Sequence, residues 1–166
     1  MKKKKLFKLV VQERSFFYKN KPNIKPTHFI QRILVLYGCS RCHVLKDDCH
    51  SICNSVRVSP KIISIHQSYD WWKKRFDTLL KVNGVISLCY GGQIEFLRLR
   101  VEDGIGIQKL IFEDESLLKP MVDGRYISIK DLSKHFGLRW EDFKEWCDRY
   151  DLTQPLAIIH YTGFRY

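Results

Sequence analysis

The chain has 166 residues, 45% of them hydrophobic and 13% aromatic, with a formal charge of +11. That much apolar material builds one core without disulfide staples, and no apolar run approaches the roughly 18 residues of a membrane helix. The charge is one-sided: residues 1–81 hold 18 Lys and Arg against 5 Asp and Glu, a balance of +13, while residues 82–166 hold 11 against 13, a balance of −2. A surplus confined to one half suits a polyanion partner, because clustered cations displace the counterions condensed on phosphates. The alternative is a solvated tail at Lys2 to Lys5, yet without those four the first half still stands at +9.

In chain order, Leu6–Val11 is predicted as a strand. Glu13 and Arg14 follow where a secretory leader would stay apolar, so a cytosolic chain without membrane contact is expected. Asn20–Pro26 reads as a polar turn. Pro26–Tyr37 reads as a helix capped by Thr27, with Phe29, Ile30, Ile33, Leu34 and Tyr37 on one side. An irregular, cysteine-rich insertion occupies about 38–60 of what is otherwise one domain spanning 1–166.

Four cysteines of that insertion are spaced C-x2-C-x6-C-x3-C, as Cys39, Cys42, Cys49 and Cys53, with His43 and His50 among them. Four soft ligands over so short a span suit tetrahedral zinc. Cys39 to His43 (CSRCH) also matches the attachment motif of c-type haem, which an exported chain would need. A loop of reduced thiols is the third alternative. Cys89 and Cys147 fall in apolar patterns and read as core.

Lys61–His66 is a strand-like run. Tyr69–Lys81 (YDWWKKRFDTLLK) is predicted as a helix with Trp72, Phe76, Leu79 and Leu80 on its apolar side. Lys73, Lys74 and Arg75 form a basic run beside Trp71 and Trp72, a pattern that suits stacked bases and phosphates. The bland alternative is a solvated helix face. Val85–Tyr90 and Gln93–Val101 flank Gly91-Gly92 and predict a hairpin. Ile105–Phe112 is a further strand.

Ser128 to Asp131 has capping-box spacing and starts a helix that Gly137 ends. In the next helix, Trp140–Tyr150, Phe143, Trp146, Cys147 and Tyr150 share a core face. Leu156–Tyr166 closes the chain as a strand. The expected class is α+β, a partly closed β-barrel with short flanking helices. Residues 85–112 and 156–166 are expected to share one barrel-like sheet, with the helix pair 129–150 packed outside it.

Four strings taken together resemble the ASCH family of the PUA-like superfamily, in its phage and bacterial form. They are RSFFYKNKPNIKPTHFIQRIL, PKIISIHQSYDWWKKRFD, VEDGIGIQKLIF and DLSKHFGLRWEDFKEWCDRYDLTQPLAIIHYTGFRY. The likeness spans most of the chain, apart from the cysteine-rich stretch and a shortened hairpin at Gly91-Gly92. It implies a PUA-like barrel and a cleft that takes RNA or a modified nucleotide.

The family's Lys, Thr and Arg fall on Lys61, Ser64 and His66. Some small members are amidohydrolases on N4-acetylcytidine, with a Lys, a Thr nucleophile and a Glu. Here the Lys and nucleophile positions are Lys61 and Ser64, and the acidic position falls on Phe136. His135 is adjacent but points elsewhere on its helix. Without that carboxylate a proton carrier is missing, and His66 lacks the permanent charge and fork of Arg.

The expected function is therefore binding of RNA or a nucleotide through Lys61, Ser64, His66 and Lys73 to Arg75. The alternatives are an amidohydrolase using Lys61 and Ser64, or a zinc-stabilised adaptor for a protein partner. The bland readings are a solvated Lys61 and an ordinary strand hydroxyl at Ser64.

Overall fold

The computed structural model describes residues 6–11, 29–37, 60–90, 94–114 and 119–166. The proposed zinc ligands Cys39, Cys42, Cys49 and Cys53, with His43 and His50, lie outside them, as do the 20–26 turn and the Gly91-Gly92 loop. The described elements are β1 (Leu6–Val11), α1 (Phe29–Leu34) with a 3-10 turn (Val35–Tyr37), β2 (Ile63–His66), α2 (Tyr69–Lys81), β3 (Val85–Tyr90) and β4 (Ile94–Arg100). A 3-10 turn (Val101–Asp103) leads to β5 (Gly106–Phe112), β6 (Pro120–Val122), β7 (Arg125–Tyr126), α3 (Ile129–Phe136), α4 (Trp140–Cys147) and β8 (Leu156–His160).

The class is mixed α+β, with two sheets. One runs β1-β3-β4, the other β2-β8-β5-β6-β7. β1 lies parallel to β3, and β4 returns antiparallel to β3. All pairs of the larger sheet are antiparallel. Among the described residues the sheets share no strand and do not close into a barrel.

This corrects the single sheet expected for 85–112 and 156–166. The Asp103 carboxylate accepts the Arg100 N–H at 2.7 Å, which ends β4 and starts the 3-10 turn. Gly104 follows at φ 80, where a Cβ would stand 2.5 Å from the Gly163 nitrogen. Only glycine makes this bend, and it carries the chain from one sheet into the other. The last strand also stops at His160 and does not continue to Tyr166.

Local features explain the register. Leu88 faces Leu97 and Cys89 faces Glu95, so Phe96 is an extra residue in β4. This bulge breaks the alternation and lets Phe96 and Leu97 both be buried. β8 (LAIIH) is buried at every position because neighbours flank it and both its faces are covered. Asp123 and Gly124, both left-handed at φ 46 and φ 83, turn β6 into β7.

The helices follow their spacing. Phe29, Ile30, Ile33 and Leu34 of α1 are buried. In α2 Phe76 and Leu79 are buried and Trp72 packs against the core, whereas Leu80, expected on the apolar side, is 46% exposed. Ser128 caps α3 by accepting the Asp131 N–H at 3.3 Å, and Gly137 ends it at φ 86. Phe143 and Trp146 of α4 stack at 5.4 Å, and Phe136 of α3 meets both rings. α3 in turn packs on β2.

Candidate functional site: the end of β2 and the start of α2

Lys61 enters the site just before β2. Its N–H donates to the Arg32 carbonyl at 3.1 Å, and the next N–H, of Ile62, donates to the His135 carbonyl at 3.0 Å. The side chain is 2% exposed, so it is not the solvated lysine that composition allowed. Its ammonium donates to the Phe136 carbonyl at 2.7 Å and lies over the Phe136 and Phe29 rings at 3.5 and 4.1 Å. Burial, then the nearby Arg32 charge, pushes its pKa well below the lysine range. Phe136, which the resemblance places at the acidic position, thus stands directly against Lys61. Gly137 makes room for the stem: a Cβ there would lie 3.0 Å from the Lys61 Cβ.

Ser64 and His66 are two apart on β2 and so share a face. Ser64 Oγ and His66 Nε2 are 2.8 Å apart. Burial, then the Lys61 charge, lowers the His66 pKa to about 4, so the imidazole is neutral at pH 7. With the proton on Nδ1, Nε2 accepts the Ser64 hydroxyl. On its other side Ser64 hydrogen-bonds the buried Tyr161 phenol, whose pKa burial raises. Tyr161 is fixed by its N–H to the Ile62 carbonyl at 2.9 Å, and its carbonyl accepts the Tyr37 hydroxyl at 2.5 Å. Tyr37, Tyr161 and Arg32 were not foreseen, because α1 and the segment after β8 meet β2 only through tertiary folding.

The turn after His66 delivers aromatic rings. Ser68 sits in the left-handed region at φ 63, and its carbonyl accepts the Trp71 and Trp72 N–H groups. Trp72 then lies 4.6 Å from His66, and Trp71 stands edge-on to Trp72 at 4.8 Å. Trp71 is 51% exposed.

The basic run divides into three environments. Lys73 is paired with Asp77 at 2.5 Å on the surface, and that hydrogen bond raises its pKa. Lys74 is exposed. Arg75 lies over Trp71 at 4.3 Å and over Phe7 at 5.3 Å. The structure therefore pairs Ser64 with the half-buried His66, places the Lys61 charge near enough to act on His66, and sets Lys74 and Arg75 on the helix beyond.

Among the described residues no group of three or more His, Cys, Asp or Glu is arranged to hold a metal ion. Cys89 and Cys147 are buried free thiols, and burial pushes Cys147 up to about 12. Among the described residues no helix is long and apolar enough to cross a membrane. Comparison with known proteins finds no matching family model, no matching curated protein and no matching solved structure.

Proposed function

We propose that the chain is an ASCH-like domain of the PUA-like type that binds single-stranded RNA or a nucleotide beside β2 and α2. The observation that carries this reading is the run of rings from His66 through Trp72 to the exposed Trp71, with the Arg75 guanidinium against Trp71. Bases stack on such rings whatever their identity, and cations nearby meet the backbone. The +13 charge of residues 1–81 supplies the long-range attraction. Lys61 is enclosed, so its part is to hold the floor of the site, and phosphate contact passes to Lys74 and Arg75.

The test is a fluorescence titration of the chain with a single-stranded oligoribonucleotide across a salt series. Trp71→Ala is expected to weaken binding by about 1–3 kcal/mol, the value of one stacked base. Lys74→Ala should flatten the slope of log K against log salt by about 0.7. Equal affinity in wild type and Trp71→Ala would remove the reading.

The Ser64–His66 hydrogen bond favours a second reading, an amidohydrolase on an N4-acylated cytidine. There the Ser64 oxygen would attack the acyl carbon while its proton passes to His66 Nε2, the same proton would go to N4 of the cytidine as the C–N bond breaks, and water would then release the acyl group from Ser64 as the free acid. Against it, the Lys61 ammonium is engaged by Phe136 where a carboxylate would be needed. Weak or absent hydrolysis is expected. Robust turnover that disappears in Ser64→Ala would make this the better account.

A further inference from the structure

We propose that Arg75 forms a phosphate-binding edge between α2 and the three-stranded sheet. The inference rests on the nucleic-acid reading above and names where the phosphate sits.

The helical spacing isolates this edge. Trp72, Phe76 and Leu79 face the core, and Lys73 pairs with Asp77 further round. Trp71, Arg75, Thr78 and Val82 follow at i, i+4, i+7 and i+11, along the boundary between core and solvent. Trp71 and Val82 on this ridge are 51% and 45% exposed.

Arg75 is held but not satisfied there. Its guanidinium carbon lies over the faces of Trp71 and Phe7, at 4.3 and 5.3 Å. Ring faces attract the charge but take none of the five in-plane N–H groups as a carboxylate or phosphate would. Among the described residues no carboxylate forms an ion pair with Arg75. Its Nε is buried and without a hydrogen-bond partner among them. A charged donor fixed by two rings and left without an acceptor is preorganised for an incoming oxyanion.

The space matches. Arg75 borders a cavity of about 20 Å³ between helix and sheet, whose lining is otherwise mostly apolar, from Phe7, Trp72, Phe76, Ile86 and Ile159. That is room for one water, or for one oxygen of a larger anion whose other oxygens stay outside. Lys8, between Phe7 and Leu9 on β1, turns its side chain to the other face of the sheet and is exposed there. A phosphate oxygen can accept from Arg75 in that cavity, and a base attached to it stacks on the neighbouring, exposed Trp71.

The experiment follows the arginine Nε–H resonances of the full chain by NMR during titration with inorganic phosphate. A 5′-phosphorylated oligoribonucleotide and an unphosphorylated nucleoside are the second and third probes. The Arg75 signal should shift saturably with phosphate and with the oligonucleotide. Arg75→Lys, which keeps the charge and loses the fork, should lower phosphate affinity at least tenfold, while Lys8→Gln, on the other face of the sheet, should leave it nearly unchanged, both with unchanged melting temperature. An unmoved Arg75 signal, or wild-type phosphate affinity in Arg75→Lys, overturns the proposal. If Arg75→Lys keeps RNA affinity while Trp71→Ala loses it, the phosphate edge is wrong and the nucleic-acid reading stands. If phosphate binds at Arg75 and RNA does not bind, the anion site stands and the nucleic-acid reading fails.

Discussion

The β2–β8 ladder carries an imidazole on each face, half-buried at His66 and fully buried at His160, and the two are treated differently. Pairing puts Ser64, His66, Ala157 and Ile159 on one face and Ile63, Ile65, Ile158 and His160 on the other. His66 has Ser64 as a partner and an aromatic path to the surface. His160 is 0% exposed, and neither ring nitrogen has a partner among the described residues. Phe164 and Tyr166 lie about its ring, each centroid 6.1 Å away. Tyr166 is itself pinned by its N–H to Gln108 Oε1 and by its hydroxyl to His135 Nδ1, both at 2.9 Å. Burial alone therefore does not mark a working site. A hydrogen-bonded partner and a route to solvent distinguish the His66 face.

Acid should test both faces at once and give the largest effect. Burial, then the Lys61 charge, lowers His66 to about 4; burial, then the Arg165 charge, lowers His160 to about 3. Both folded values lie below the unfolded value near 6.5, so the unfolded chain binds more protons and stability falls with pH below about 6.5. Each histidine contributes at most about 1.4 kcal/mol per pH unit. Urea unfolding at pH 6.5 and 5 should then differ by on the order of 4 kcal/mol at most. Either His→Gln variant should flatten the slope, and a flat profile in wild type would show that neither ring is buried in its neutral form. Lys61 extends the same sign upward, since its folded pKa is lowered from 10.5.

Replacing one histidine at a time should separate the faces by sign. His66→Ala leaves the buried Ser64 hydroxyl without one partner and is expected to cost about 1–3 kcal/mol. His160→Leu removes two unpaired buried polar atoms at similar volume and is expected to be neutral or stabilising by about 1 kcal/mol. Denaturant midpoints at pH 7 decide it. Equal destabilisation in both would mean that His160 has a bonding partner after all, and the contrast would disappear.

The smallest effect is expected at the turn joining the His66 face to α2. Ser68 sits at φ 63, a cost of roughly 1–2 kcal/mol for a residue with a Cβ. Ser68→Gly should raise stability by up to about 1 kcal/mol and leave ring contacts unchanged. A loss of stability would mean that the hydroxyl, and not the backbone, fixes the turn.

Local chemistry was legible in the sequence. The bounds of α2, the Ser128 and Gly137 caps, the core face of Phe143, Trp146 and Cys147, and the β3–β4 pairing all follow from short-range spacing. The Asp123-Gly124 hairpin was missed although its turn signal was present, because β6 and β7 are only three and two residues long. The assignment of strands to two sheets was not legible, since it turns on one glycine and a single Asp103 hydrogen bond. At the site, Ser64 and His66 could be paired by their period of two. The enclosure of Lys61 by Phe29, Phe136 and Arg32 could not, because two helices distant from it in sequence create it.

The parallel pairing of β1 with β3 is a contact between distant parts of the sequence. Residues 12–84 separate the two strands, and an antiparallel hairpin already gives β3 a partner in β4. A growing chain therefore exposes β1 long before its acceptor edge exists. The edge that β1 occupies is also the wall of the Arg75 cavity, through Phe7 and Lys8. That wall therefore depends on a long-range contact and not on a local turn.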